Sequence, residues 1–460
     1  MPVALIYMLD KITMYRLVLY FLLVLSLFGF LFQPPVYFGL SLLFILSVSW
    51  LTNNLFSRVF NAPTNLESVY ISALILALII TPAKSLSDLM FLFWAAVLTQ
   101  ASKYILALNK KHIFNPVAAA VLITSLVLGR SATWWIATPW TLPIILIGGL
   151  LIVKKLRRWE MITSFLVFSI LFSLNLRFIT HTPLFFFAFV MLTEPLTAPT
   201  TKIWQIIFGG LVGILFSLKS FTPEMALILG NIFAYLVSSK QKLLLTLREK
   251  IQIAPDIYDF IFETKQKLNF VPGQYLEWTL PQRSPDSRGN RRYLTIASAP
   301  TEENIRIGVK YYNNSSSFKK TLLSLNTQIM ASQLAGDFTL PKDSKVKLAF
   351  VAGGIGITPY RSMIKYLIDT KQTRDIILIY INKTADEIVY KDILEYIKVV
   401  YVNTSEVGHL NSQMILDNVS DIKDRVWYIS GPHNMVSATE DLLKSMNIKH
   451  IKTDFFPGLV

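Results

Sequence analysis

The chain has no cysteine, only five histidines, and charged residues at just 16% of its 460 positions. Without thiols there are no disulfides, no thiolate-held iron–sulfur clusters and no zinc–thiolate sites. The redox compartment is therefore not legible from cysteine. Of the histidines, only His112 and His181 precede residue 240, and both fall on connections between apolar runs. A transmembrane relay of two haems needs histidine pairs at helical spacing, so that architecture is excluded. Scarce charge, set beside 53% hydrophobic residues, is too apolar for a soluble enzyme of this length. Much of the chain is expected to sit in lipid.

What is present divides near residue 240. The first 240 residues carry 16 Lys and Arg against 6 Asp and Glu, and the remainder carries 28 against 23. The net charge of +15 could suggest nucleic acid, but the excess in the first part sits in short loops between apolar runs, where it reads as topology. No nucleic-acid partner is expected; the lipid bilayer is. A spanning helix needs ~20 apolar residues. Ten such spans are read near 15–32, 36–52, 66–81, 87–107, 115–129, 138–153, 160–176, 183–198, 203–218 and 222–238. The first is not a cleavable signal peptide, because Gln33-Pro34-Pro35 leads straight into another apolar run with no small-residue cleavage site. With the N-terminus inside, the inner loops collect Lys11, Arg16, Arg58, Lys110, Lys111, the cluster Lys154, Lys155, Arg157 and Arg158, and Lys202. The outer loops receive Lys84, Arg130, Arg177 and Lys219. This bias predicts an integral protein of a bacterial cytoplasmic membrane, with its second half in the cytoplasm.

A weak internal echo links Ile80-Thr81-Pro82 and His112 to Ala118 with Leu192-Thr193-Glu194-Pro195 and Ser220 to Ala226. Two five-helix halves in series have opposite orientations, so the echo fits a 5+5 inverted repeat with prolines breaking helices near the pseudo-twofold. Intramembrane polar residues mark function by default, and Asn115, Glu194, Thr197, Thr200, Thr201, Glu224 and Asn231 are the candidates. The competing reading is that Glu194 and Glu224 are wetted helix ends. His112-Ile113-Phe114-Asn115-Pro116, Thr193 to Thr201, and Ile206-Ile207-Phe208-Gly209-Gly210-Leu211-Val212-Gly213 resemble the D subunit of the Rnf complex and the B subunit of the sodium-pumping NADH:quinone reductase. The resemblance, strongest over 110–240, implies a ten-helix, inverted-repeat fold that holds flavin and relays electrons. Those subunits attach FMN to Thr in an S/D-G-A-T-type motif, which is missing here. A noncovalent FMN, riboflavin or quinone contacted by Asn115, Thr197 and Thr200 is the expectation.

The second half changes character. Short alternating apolar runs at 243–247, 257–262 and 305–311 suit an antiparallel β-barrel over 241–341. Apolar strands at 346–352, 376–381 and 426–430, alternating with helical stretches, suit an α/β nucleotide-binding domain over 342–460. The sharpest motif is Val351-Ala352-Gly353-Gly354-Ile355-Gly356-Ile357-Thr358-Pro359, between a strand and a helix at 360–368. Glycines there let backbone approach a pyrophosphate at a helix N-terminus. A second motif, Tyr428-Ile429-Ser430-Gly431-Pro432-His433-Asn434-Met435, ends a later strand; carboxyl ends of parallel strands are where such sheets bind ligands.

Together with Phe270-Val271-Pro272-Gly273-Gln274-Tyr275 and Arg292-Tyr293-Leu294-Thr295-Ile296-Ala297-Ser298, these motifs resemble the ferredoxin–NADP reductase family over essentially all of 243–460. The resemblance implies that Arg292 binds the FAD pyrophosphate, that Thr295 faces the reactive flavin edge, and that Gln274, Tyr275, Lys310, Ser316 and Ser317 complete the FAD site. It also implies that Gly353, Gly354, Gly356, Thr358, Pro359, Gly431, Pro432 and Met435 take the nicotinamide dinucleotide, with Ser430 on the nicotinamide side. Phe455 or Phe456 would cover the flavin. Two departures stand out. At the family's aromatic position against the flavin stands Leu294, with Tyr293 one residue earlier, so either Leu294 packs on the isoalloxazine or Tyr293 is displaced to it; the family's Cys-Gly is Ser430-Gly431. Lys383 beside Asp386 and Glu387, without arginine, predicts NADH over NADPH. The function expected is hydride transfer from NAD(P)H to FAD, with electrons leaving through the membrane half to a quinone, an acceptor protein or an extracytoplasmic acceptor. The alternative is a tethered reductase whose membrane half is an anchor or small-molecule transporter.

Overall fold

The computed structural model describes residues 12–60, 66–108, 111–173, 178–238, 243–282, 286, 290–312, 315–326 and 328–454. The chain separates into two compact units, within 1–238 and 239–456.

The first unit is helical. Its long helices are Met14–Phe32, Pro35–Val59, Leu66–Ile79, Leu86–Ile105, Pro116–Leu128, Leu142–Leu156, Trp159–Ser173, Lys202–Ser217 and Pro223–Val237. The expectation of ten spans needs correction: among the described residues only Met14–Phe32 and Pro35–Val59 are long and apolar enough to cross a bilayer. The reason is local chemistry. Asn115 and Thr222 cap helices whose next residue is proline, fixing starts that hydropathy alone blurs. Pro116–Leu128 has 13 residues, about 20 Å at 1.5 Å per residue, against a hydrocarbon core of roughly 30 Å. The run read as a span at 183–198 is broken: a π-turn at Phe187–Met191 gives way to non-helical chain through Pro195 and Pro199. The unit's core includes Phe165, Phe187 and Phe216, whose ring centroids lie 4.8–5.5 Å apart.

The second unit opens with antiparallel strands β1 (Leu243–Ala254), β2 (Ile257–Glu263), β3 (Tyr275–Thr279), β4 (Arg291–Thr295), β5 (Ile305–Lys310) and β6 (Ile329–Ala335). They form one sheet in the order β4-β3-β6-β1-β2-β5, bent by bulges in β1 and at the β3–β6 pairing. It curls around Phe260, Phe262, Trp278 and Ile307, all essentially dry. The expected antiparallel β-barrel is, among the described residues, a curled sheet left open at one seam: β4 and β5 are not paired there, and a backbone bond from Ala297 N–H to the Arg306 carbonyl crosses it. Period-two alternation sets the faces. Ile305, Ile307 and Val309 point into this core, which leaves Arg306, Gly308 and Lys310 for the other face.

A parallel sheet follows: β7 (Leu348–Gly353), β8 (Ile376–Asn382), β9 (Lys398–Asn403), β10 (Val426–Ser430) and β11 (Ile451–Thr453), in the order β9-β8-β7-β10-β11. β7 and β8 are buried along their whole length, as central parallel strands covered on both faces must be. The chain reverses its winding between β7 and β10, so their carboxyl ends flank the crevice where ligands enter such sheets.

Candidate active site

β7 runs directly into a 3-10 turn, Gly354–Ile357, and then the helix Thr358–Asp369 with Pro359 at its start. Gly354 has φ +51°, and a Cβ built there meets nothing within 4 Å. Open space therefore lies over the turn, where a pyrophosphate would need close backbone approach. Gly356 is the opposite case: a Cβ would stand 2.5 Å from the Ser430 carbonyl oxygen and 2.6 Å from Gly431. A Cβ on Gly353 would meet Met435 Sδ at 2.3 Å and Pro432 at 3.1 Å. The two glycine motifs, nearly 80 residues apart, thus form one surface. Tyr360 holds them from below, its hydroxyl donating to the Val351 and Tyr428 carbonyls at 3.1 and 2.8 Å. Thr358 Oγ1 donates to the Ile355 carbonyl at 3.2 Å, closing the turn. Ser430 Oγ donates to Asp454 at 3.0 Å. Phe455 and Phe456 lie outside the described residues.

The other candidate cluster is built on the curled sheet. Arg292 is buried, its guanidinium 5.3 Å above the Phe318 ring and 3.6 Å from Asp286. Ser317 exchanges hydrogen bonds with Asp286, 2.9 and 3.0 Å, and Ser316 caps the helix Ser317–Leu323. Lys319 Nζ reaches the Lys310 carbonyl at 2.6 Å, and both lysines face the Tyr312 ring. Arg292, Lys310, Lys319, Ser316 and Ser317 therefore gather at one end of the sheet, a cationic and hydroxyl set that fits a diphosphate. Lys310 Nζ is also paired with Glu387 at 2.7 Å.

The strand geometry orders the two residues that sequence left open. Leu294 lies on the Arg292 face of β4 and packs on the sheet's core. Tyr293 lies on the other face, with Thr295, where its hydroxyl donates to Glu277 at 3.0 Å and its ring meets Tyr275 edge-on at 5.5 Å. Gln274 is spent on its own turn, accepting from Val271 N–H and donating to the Gly336 carbonyl.

The structure adds residues that no motif indicated. Arg361 is 4% exposed; its fork meets both Glu302 oxygens, 2.8 and 3.0 Å, and the Ala297 carbonyl, 2.7 Å. Burial pushes the Glu302 carboxyl up, but the Arg361 fork outweighs it and holds the group below the usual carboxylate range. Asp259, fully buried, accepts from Arg306 and from the Tyr390 hydroxyl, whose ring lies 5.4 Å from the Arg361 guanidinium. Burial, then the Asp259 charge, pushes the Tyr390 phenol well up, so it stays a donor.

In the helical unit, Asn115 and Thr197 are brought together and Thr200 is not. Asn231 Oδ1 accepts from the Asn115 backbone at 2.8 Å, and its Nδ2 donates to the Thr197 carbonyl at 3.1 Å. Thr197 Oγ1 donates to Glu194, which also meets His112 Nε2 at 3.0 Å. Thr200 offers its carbonyl to Gln205. Glu224 accepts from the Trp134 indole at 3.0 Å and is buried, not a wetted helix end.

Residues 350–441 match the sequence profile of the oxidoreductase NAD-binding domain. The chain is 26% identical over 223 residues to a flavohemoprotein from Oceanobacillus iheyensis, covering 44% of this chain and 55% of that protein. It is 25% identical over 214 residues to flavohemoprotein A from Dictyostelium discoideum, covering 41% and 53%. The chain spans about half the length of the curated relatives it matches. Among solved structures it is similar to the flavohem-like FAD/NAD-binding domain of nitric oxide dioxygenase from Vibrio cholerae, with a TM-score of 0.40 and 17% identity, covering 46% of this chain and 98% of that chain. These similarities place an oxidoreductase NAD-binding domain within the second unit.

Proposed function

We propose that the chain is a membrane-bound oxidoreductase that takes electrons from cytoplasmic NAD(P)H, through FAD, to an acceptor in or across the membrane. The observation that carries this reading is the single surface made by the two glycine motifs, with open space over Gly354. FAD, when bound, accepts a hydride from a dihydronicotinamide and releases electrons one at a time, which suits a two-electron donor feeding a one-electron acceptor. The chain's part is to hold both partners. Arg292, Lys310, Ser316 and Ser317 would take the FAD diphosphate. The turn at 353–359 would take the dinucleotide pyrophosphate, and Gly431, Pro432 and Met435 the nicotinamide end.

Two apolar helices long enough to span and five shorter ones support lipid as the environment of the first unit. A noncovalent flavin or quinone beside the broken stretch at 192–201 is the relay consistent with that reading. A second reading, an anchored reductase without a membrane cofactor, is favoured by one observation: Asn115 and Asn231 spend their amides on protein groups, including the Ala118 N–H and the Met191 carbonyl. The test is a cofactor count on the full-length protein in detergent, by denaturing extraction and chromatography. One FAD plus one further flavin or quinone per chain supports the relay, and no flavin should remain covalently attached. FAD alone, with no electron transfer to an acceptor enclosed in liposomes, supports the anchor. Absence of FAD together with no NADH oxidation defeats both.

A further inference from the structure

The helix Thr358–Asp369, which opens on the dinucleotide turn, is riveted to the loop at 296–302, which continues the strand ending in Thr295. Arg361 Nη1 donates to the Ala297 carbonyl and its fork grips Glu302, whose Oε2 in turn accepts from Ala299 N–H at 2.6 Å. One residue on, Ser362 Oγ donates to the Ser298 carbonyl at 2.7 Å. At the far end Thr301 Oγ1 donates to Asp369 at 2.6 Å. The loop is also tied to the sheet: Ile296 N–H donates to the Gln274 carbonyl, and Ser298 Oγ accepts from Arg306 N–H.

We propose that Arg361, acting with Glu302 and Ser362, is the positioning group of the reductase, setting the separation of the nicotinamide and flavin sites. The inference rests on the functional reading above. A buried guanidinium is costly even with both terminal nitrogens paired, as here, where Nε has no hydrogen-bond partner among the described residues, and a seam that only had to cohere could be apolar. A planar fork with fixed donors adds something apolar packing lacks, a defined angle and distance between the two elements it joins. Here those elements are the helix whose first turn faces the dinucleotide and the loop that follows Thr295. Tyr390 and Asp259 brace the fork from behind, since the Tyr390 ring lies along the guanidinium and its hydroxyl is anchored across the seam. The group touches neither candidate cofactor site directly, so its effect falls on geometry.

The experiment uses the full-length protein with Arg361→Lys, Glu302→Gln and Ser362→Ala. Read-outs are FAD per chain, NADH dissociation constant, single-turnover flavin reduction with protiated and 4-deuterated NADH, and hydrogen exchange of the 296–302 loop. Expected are unchanged FAD content, NADH affinity within about threefold of wild type, and flavin reduction slowed by about 10–100-fold for Arg361→Lys, as misplacement near 1 Å commonly costs. The deuterium effect should grow, because hydride transfer becomes more fully rate-limiting, and loop exchange should accelerate. Glu302→Gln and Ser362→Ala should show the same signature, smaller but with flavin reduction slowed by at least about threefold. Rates within twofold of wild type in all three variants overturn the proposal, as does a loss confined to NADH affinity. Should Arg361→Lys lose FAD or fail to fold, Glu302→Gln and Ser362→Ala decide by the same criteria. Wild-type protein that lacks FAD, or is inert to both NADH and NADPH, would refute the underlying functional reading instead.

Discussion

Gly354→Val separates binding from folding more cleanly than any other change at this site. The backbone there is left-handed, φ +51°, which costs an L-residue roughly 1–2 kcal/mol and somewhat more when β-branched. A protein with roughly 5–15 kcal/mol of stability survives that. Nothing lies within 4 Å of the Cβ position, so the new side chain starts into open space over the turn. A pyrophosphate that needs the backbone amides is then held off by two methyl groups, and an affinity loss of at least about 100-fold, near 2.7 kcal/mol, is expected. Gly354→Ala carries the same backbone strain with one methyl and should lose less. Gly356→Ala is the opposing control: its Cβ would sit 2.5 Å from a backbone carbonyl of the neighbouring motif, so stability and binding should fall together. The assay is stopped-flow flavin reduction across a NADH titration, with FAD content and Tm on the same samples. Gly354→Val with wild-type NADH affinity refutes the assignment of this turn to the dinucleotide.

Arg292→Ala should lose FAD, since it removes a buried charge-assisted partner for a diphosphate, and the purified variant should contain less than a tenth of the wild-type flavin, an effect of about 1.5–3 kcal/mol; normal FAD stoichiometry would defeat the role. NADH should outperform NADPH, because Asp386 and Glu387 follow Lys383 beyond β8 and Glu387 Oε2 accepts from the Lys383 backbone at 3.4 Å. A tenfold advantage for NADPH in reduction efficiency would reverse that preference. Hydrogen bonds from Arg425 and then Lys347 hold the Asp421 carboxyl down at about 2. A depressed carboxylate adds stability above its unfolded value of 3.8 and loses it as pH falls towards 2. With solvent screening the effect is about 1 kcal/mol. Asp421→Asn should therefore lower Tm at pH 6 and leave it unchanged near pH 2; an equal loss at both pH values would exclude the ion pairs as its source.

Much of the second unit was written in local sequence, because its signals act over a few residues. The continuous apolar runs of β7 and β8, the alternation of β5, and the glycines between a strand and a helix each follow from side-chain period or backbone freedom, and they marked both glycine motifs. Sequence also separated an apolar, charge-poor first half from a charged second half. Hydropathy could not tell a helix long enough to span a bilayer from one cut short by a cap and a proline, since composition is nearly the same in both, and among the described residues only Met14–Phe32 and Pro35–Val59 pass that test. Long-range pairing was decided by tertiary structure alone. Glu302 and Arg361 are 59 residues apart and Asp259 and Tyr390 are 131 apart; nothing local to either marks its partner. Whether β4 and β5 close a barrel depends on strand pairing across the sheet. The side of β4 that carries Leu294 rather than Tyr293 follows from register, because a one-residue shift exchanges the two faces. Burial made the same selection for Arg361, whose guanidinium, once enclosed, is held at both terminal nitrogens by the Ala297 carbonyl and Glu302.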